Sequence, residues 1–407
     1  MNSFLDMNLH VSLMQALDRN KLSIPTPIQA RVIPLAIQGR DILGSAQTGT
    51  GKTLAFALPI ITKLLEQPNA FTAMIIVPTR ELAHQVTNEI QKLLSQDSIL
   101  KIALLIGGDP IFKQLNQLRK KPQIIIGTPG RIIDHLYRNT LSTRNIGILV
   151  LDETDRMFDM GFGVQIEKIV QYVPKLRQTL MFSATLPTNI VQLAEKFLNQ
   201  PERISIDSQS QVSTRIKEEV IYALESEKYK KLIIELLHRE GSIIIFVRTK
   251  QGAHDLAYKL NKDSYRVSEL HGDLRQHKRE SAINAFRRGS IQIMVATDIA
   301  ARGLDIPHIQ HVMNYDIPQS QIDYIHRIGR TARAGSEGHA VSFVTPQDKI
   351  RCPEFLDKTT GKLNFQCHLR GNKKFNYNKK VFRDKKQYIT KNKFHAKKLN
   401  LKKTHLL

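Results

Sequence analysis

Short apolar runs alternate with segments of helical periodicity along most of this chain, and that alternation limits its fold more than any other feature. The first set is Asp41–Ser45, Met74–Val77, Ile124–Ile126, Ile148–Leu151 and Thr179–Phe182; the second is Ile243–Val247, Ile293–Ala296, Val312–Asn314 and Ala340–Val344. The runs are mostly continuous rather than alternating in polarity, as strands buried on both faces require. Parallel neighbours need long crossovers, and right-handed crossovers put helices on both faces of a sheet. The expected fold class is therefore α/β with parallel sheets.

With 407 residues, the chain is too long for one ordinary core. Ser208–Thr214, a polar stretch without core residues, separates the two sets of strands. The expected organisation is a first α/β domain over 1–207, a linker at 208–214, a second α/β domain over 215–345 and a tail over 346–407.

Charge adds a partner class. The formal net charge is +23, and Arg351–Leu407, with 17 basic and 3 acidic residues, carries +14 of it. Lysine pairs such as Lys373-Lys374 and Lys379-Lys380 are interleaved with Phe375, Tyr377, Phe382, Tyr388 and Phe394 without sustained periodicity. This composition predicts a disordered basic arm, in which lysines neutralise phosphates and aromatic faces stack on unpaired bases. A merely solubilising tail is the bland alternative. No apolar stretch reaches the roughly 18 residues of a membrane span, and the first ten residues lack a signal-peptide core. The expectation is a soluble, cytoplasmic protein with no membrane partner. Cys352 and Cys367, the only cysteines, have no Cys-x-x-Cys or His cluster beside them and read as free thiols.

Ala46-Gln47-Thr48-Gly49-Thr50-Gly51-Lys52-Thr53 lies between the Asp41–Ser45 run and an apolar helical segment from Leu54. Glycines at a strand-to-helix turn let backbone N–H groups close on phosphate oxygens. Lys52 reaches the β and γ phosphates and the Thr53 hydroxyl ligates Mg2+. Ile148–Leu151 delivers Asp152-Glu153-Thr154-Asp155 at a strand C-terminus, where Asp152 is placed to hold the metal and Glu153 to orient or deprotonate water. The second set of strands has no such loop. It carries His326-Arg327-Ile328-Gly329-Arg330-Thr331-Ala332-Arg333, in which Arg330 and Arg333 fit the charge of a transferring phosphoryl group if the domains close. A basic helix on a solvated or RNA-facing surface is the alternative.

In order, Phe4, Pro25-Thr26-Pro27-Ile28-Gln29, the Gly-rich loop, Pro78-Thr79-Arg80-Glu81-Leu82, Gly107-Gly108, Thr128-Pro129-Gly130-Arg131, Asp152–Asp155, Ser183-Ala184-Thr185, His271-Gly272-Asp273, Thr297–Asp305 and His326–Arg333 resemble the DEAD-box ATP-dependent RNA helicases, with wording most similar to the bacterial RhlE-type subgroup. The resemblance implies two RecA-like P-loop domains that close on ATP, Mg2+ and RNA, largely independent of RNA sequence, and that unwind short duplexes or remodel RNA–protein complexes. It assigns Gln29, Leu22 and Phe4 to the base, Asp305 to the ribose, and His326, Arg330 and Arg333 to the γ-phosphate. It makes Asp155, Ser183 and Thr185 the coupling residues. RNA contacts fall to Thr79, Arg80, Gly108, Thr128, Arg131, Gly272, Arg279 and Thr297. Ribosomal or messenger ribonucleoproteins are its family-level partners. Thr154 stands where the family usually has Ala, and Leu22 where it usually has an aromatic. An ATP-gated RNA clamp or annealing protein with little turnover and a DNA translocase are the competing functions.

Overall fold

The computed structural model describes residues 3–351 apart from 47–48, 96–97, 187, 207–215, 302–308, 319–320 and 333–336. Two sheets carry the architecture, both within one compact unit. The first comprises β1 (Ile42–Ser45), β2 (Thr72–Ile76), β3 (Ile102–Leu105), β4 (Ile124–Gly127), β5 (Ile146–Leu151), β6 (Gln178–Ser183) and β7 (Glu202–Ser205). Its order is β3-β4-β2-β5-β6-β1-β7, and every neighbouring pair is parallel. The second sheet contains β8 (Ile216–Tyr222), β9 (Ser242–Val247), β10 (Val267–Leu270), β11 (Ile293–Thr297), β12 (Ile309–Asn314) and β13 (Gly338–Val344). Its order is β10-β11-β9-β12-β13-β8, again all parallel.

The period-2 geometry of a strand explains why continuous apolar runs suit these sheets, because alternate side chains enter cores on opposite faces. On β5, Ile148 and Val150 join one cluster, while Leu149 and Leu151 join the other. On β9, Ile243, Ile245 and Val247 point to one face and Ile244 and Phe246 to the other. Fully burying each such side chain contributes about 1.5–3 kcal/mol.

At the opposite end of the strands from the Gly-rich loop, the register of β1 against β6 is fixed by polar ties. The buried Asp41 carboxylate accepts the Thr179 N–H at 2.7 Å and the Asn199 N–H at 2.7 Å. Those bonds align the starts of β1 and β6 and the approach to β7. The second body continues past the expected boundary at 345: Pro346–Arg351 is helical. Its Asp348 side chain accepts from Thr345 N and Thr345 Oγ1 at 3.0 and 2.7 Å, and pairs with Arg248 at 3.4 Å. The 208–214 linker and the tail after 351 lie outside the described residues, as do Gln47, Thr48, Asp305 and Arg333.

Candidate active site

Beta1 leads from Ser45 into the Gly-rich loop, and the Lys52–Glu66 helix leaves it. Gly49 and Gly51 have φ of 88° and 90°, in the left-handed region that favours glycine. At Gly51 a Cβ would also sit 2.4 Å from Gln29 Nε2. The Gln29 amide braces the loop by donating to Gly51 O at 3.1 Å and accepting from Thr26 N at 2.9 Å. One N–H and one lone pair of that amide remain for a base edge. Among the described residues no side chain caps the Lys52–Glu66 helix, whose N-cap is Gly51, so its first-turn N–H groups suit an anion. Lys52 is 6% exposed; its Nζ donates to Ala46 O at 2.9 Å and lies 4.0 Å from Asp152 Oδ1. An ammonium has three donors, and a buried one with this sparse pairing fits phosphate oxygens.

Beta5 brings the acids to the same edge. The Asp152 Oδ1 accepts Glu153 N at 2.8 Å, and Glu153 takes φ 51°, ψ 48°. That left-handed conformation costs on the order of 1–3 kcal/mol for a residue with a side chain. It turns the carboxylate back to Arg156, whose Nη1 donates to Glu153 Oε2 at 2.8 Å with both side chains buried. Burial pushes Asp152 up to about 6, against the pull of Lys52 and with the repulsion of Glu153. Glu153 suffers the same burial, but Arg156, Lys52 and Arg330 overcome it and hold the carboxyl below its ordinary value. Two adjacent carboxyls are thereby driven apart in acidity.

Asp155 serves the neighbouring strand. Its Oδ2 accepts Ala184 N at 3.1 Å, Thr185 N at 3.0 Å and Thr185 Oγ1 at 3.0 Å, while Ser183 Oγ donates to Thr185 O at 2.5 Å. The end of β6 is therefore clamped to the acid segment. Because β6 lies between β1 and β5, the loop, the clamp and the acids share one strand edge, where ligands of open parallel sheets bind.

The other half of that edge holds the first-domain candidates for RNA. Thr79, after β2, caps the Arg80–Leu93 helix by accepting Leu82 N at 3.2 Å. Thr128, after β4, opens the Pro129–Tyr137 helix. Gly108, after β3, has φ 88°, and a Cβ there would meet Arg80 Nη1 at 2.5 Å. Arg131 Nη1 donates to Asp109 O at 3.3 Å. Three strand ends thus present a hydroxyl, helix N-termini and arginines side by side.

The second sheet supplies Arg330, close enough to act electrostatically on Glu153. The Gln321–Ile328 helix before it is anchored by Arg327, which donates to Asp298 Oδ1 and Oδ2 at 2.6 and 2.7 Å and to Asn314 Oδ1 at 3.1 Å. Tyr324 adds a hydrogen bond to Glu218 on β8. Arg330 Nε donates to His326 O at 3.2 Å. Arg80 Nη1 reaches Gln276 Oε1 at 3.4 Å, and Arg279 pairs with Glu81 at 2.8 Å. Gly272 and Thr297 stand just after β10 and at the end of β11.

Two placements bear on the expected roles. Arg279, expected to touch RNA, is 13% exposed and has Nη2 2.8 Å from Glu81 Oε1. Phe4, expected against the base, is 2% exposed and packed into the first core, so its ring has no surface to offer. Leu22, at 36%, does.

The DEAD/DEAH box helicase profile matches residues 26–193, and the helicase conserved C-terminal domain profile matches residues 226–335. The DEAD-box ATP-dependent RNA helicase CshA of Geobacillus kaustophilus (strain HTA426) is 44% identical over 362 residues, covering 88% of this chain and 77% of that protein. This chain belongs to the DEAD-box helicase family. CshA of Bacillus subtilis (strain 168) is 43% identical over 349 residues, 85% of this chain and 70% of that protein. The S. cerevisiae Dbp5 structure bound to RNA and ADP BeF3 superposes with a TM-score of 0.79 at 33% identity, covering 89% of this chain and 94% of that one. These relatives carry the CshA name, so they lend nothing to the RhlE-type subgroup.

Within a DEAD-box frame, Arg156 and Arg327 are the residues that sequence reading missed. The Glu153-x-x-Arg156 spacing was a usable signal, since residues three apart on a helix meet. Arg327 had none, because Asp298 and Asn314 come from distant strand ends. The Thr154 departure has a structural account: its buried hydroxyl lies 3.0 Å from Phe182 O and 3.3 Å from Leu151 O. It is a strut between β5 and β6. Thr154→Val should therefore lower unfolding free energy by about 1–3 kcal/mol, the cost of buried acceptors losing their donor, with kcat nearly unchanged. Denaturant melts alongside turnover check this, and a Thr154→Ala protein that gained activity by orders of magnitude would overturn it.

Proposed function

We infer that this DEAD-box chain is an ATP-dependent RNA helicase, coupling ATP binding and hydrolysis to RNA binding, local duplex unwinding and remodelling of RNA–protein complexes. The observation that carries the reading is the convergence at one strand edge of the Gly-rich loop, of Lys52 4.0 Å from Asp152 and of Glu153 held by Arg156 at 2.8 Å, with Arg330 of the second half among the cations that lower the Glu153 carboxyl. A site completed from both halves turns over only when they meet.

Lys52 and the N–H groups around Gly49, Thr50 and Gly51 would hold the substrate phosphates, while Gln29 and Leu22 would face the base. Thr53 and Asp152 would hold Mg2+, which when bound neutralises phosphate charge. Among the described residues no cluster of three acidic, His or Cys side chains is built for a metal, in keeping with an ion that takes much of its coordination from phosphate and water. Glu153, oriented by Arg156, would position water and accept its proton. Arg330 would meet charge developing on the transferring phosphoryl group, with His326 beside it. Asp155, through Ser183 and Thr185, would connect the acids to domain closure.

RNA would lie along Thr79, Arg80, Gly108, Thr128 and Arg131 and continue to Gly272 and Thr297. Hydroxyls, helix N-termini and arginines bind phosphate and sugar without reading sequence. The roles of Arg333 and Asp305 rest on the family resemblance, and so does the cytoplasmic location; no helix among the described residues is long and apolar enough to cross a membrane.

Steady-state ATP hydrolysis with single-stranded RNA, with matched single-stranded DNA and with neither tests the reading. Stimulation by RNA above that by DNA is expected. RNA binding without stimulation would turn the reading to an ATP-gated clamp, and equal stimulation by DNA to a translocase.

A further inference from the structure

Ile111–Arg119 is helical and starts three residues after Gly108. Its inner side is fastened to the strand edge through Gln114, whose Nε2 donates to Ile106 O at 2.9 Å and whose Oε1 bonds to the His135 ring at 3.1 Å. Gln117 Oε1 accepts Leu104 N at 3.0 Å. The outer side is left to solvent: Phe112, Lys113, Asn116, Arg119 and Lys120 are all exposed and recur at the three- and four-residue spacing of one helix face. Phe112 is 60% exposed.

Charge makes this face unusual. No acidic residue occurs from Pro110 to Ile133, a stretch holding Lys113, Arg119, Lys120 and Lys121 besides Arg131, which pairs with Asp134 at 3.8 Å. Solvated faces ordinarily intersperse both signs, and an exposed aromatic among uncompensated cations is the composition that grips single-stranded nucleic acid. The helix is also continuous with the RNA edge, since Arg131 Nη1 donates to Asp109 O, one residue beyond Gly108.

We propose that the outer face of the Ile111–Arg119 helix is an auxiliary RNA track that takes the strand onward from the Gly108 loop. Phe112 stacks on a base, and Lys113, Arg119 and Lys120 neutralise phosphates. The track extends the RNA-binding reading above and rests on it. It lies outside the ATP site, so it sets how much strand is gripped and leaves turnover at saturating RNA untouched.

The test uses the full chain, so that the basic tail is present throughout, and measures anisotropy of labelled oligouridines with a non-hydrolysable ATP analogue. Three strands are compared: a short one that fills only the loop contacts, and the same strand extended at its 5′ or its 3′ end. One extension should tighten binding to the natural protein. Phe112→Ala should weaken that extended strand roughly 10-fold, the scale of one lost aromatic stack, without changing the short one. Changing Lys113, Arg119 and Lys120 together to Gln should flatten the log–log salt slope for the extended strand by about 2, near 0.7 per phosphate contact on single strands. Equal losses on short and extended strands, or none on either, would overturn the track. If the natural protein binds none of the three strands, it is the RNA-binding reading itself that fails.

Discussion

Replacing Glu153 with Gln should abolish RNA-stimulated ATP turnover while leaving ATP and RNA binding in place. The substitution keeps side-chain length and an oxygen for Arg156 Nη1, now 2.8 Å from Glu153 Oε2, but removes a carboxyl that Arg156, Lys52 and Arg330 hold below its ordinary value. General base catalysis contributes roughly 10²–10⁴-fold in rate, so kcat should fall by about that factor. The change also leaves the buried Arg156 guanidinium without its carboxylate, and breaking a buried pair can cost about 3–5 kcal/mol. Thermal melting with and without an ATP analogue separates the two effects. A protein that still gains stability from the analogue yet does not turn over assigns the base role to Glu153. Turnover within about tenfold of the natural protein would take that role away from it.

The strands legible in the sequence were those buried on both faces. β1, β2, β4, β5 and β6 of the first sheet and β9, β11, β12 and β13 of the second all coincide with apolar runs. The four that escaped, β3, β7, β8 and β10, are the edge strands of the two sheets. Edge strands bury less and pair on one side only, so their sequences can be polar, although β3 (IALL) is apolar and its four residues were too short a run to stand out. β8 reads IKEEVIY and β10 VSEL, and neither is distinguishable from an exposed loop or helix by composition. The acids and the Gly-rich loop were legible for the opposite reason: their chemistry needs particular residues at strand ends, in contiguous order. What stayed hidden were partners brought together only by folding. Arg279 with Glu81 and Arg327 with Asp298 are ordinary surface charges in one dimension and neighbours of opposite charge in three.

Arg330→Ala should lower kcat by roughly 10³–10⁵, the range for removing an arginine that meets the transferring phosphoryl group. ATP affinity should change far less, because first-domain groups already hold the ground-state phosphates. The prediction depends on where Arg330 sits. Its side chain is 3% exposed, its Nε donates to His326 O at 3.2 Å, and its charge helps to lower the Glu153 carboxyl. Arg330→Lys should recover little, since an ammonium cannot reproduce planar, bidentate contact. Arg327→Lys provides the contrast. Arg327 spends its guanidinium on Asp298 and Asn314, so this change should lower the melting temperature and reduce kcat only as far as the second body loosens. A large kcat loss in Arg330→Ala at unchanged melting temperature, beside the reverse pattern at Arg327, makes Arg330 the catalytic residue and Arg327 a positioning residue within His326–Arg333. If Arg330→Ala retained nearly full turnover, the acids of the first sheet would be sufficient by themselves, and closure of the second sheet would serve RNA binding alone.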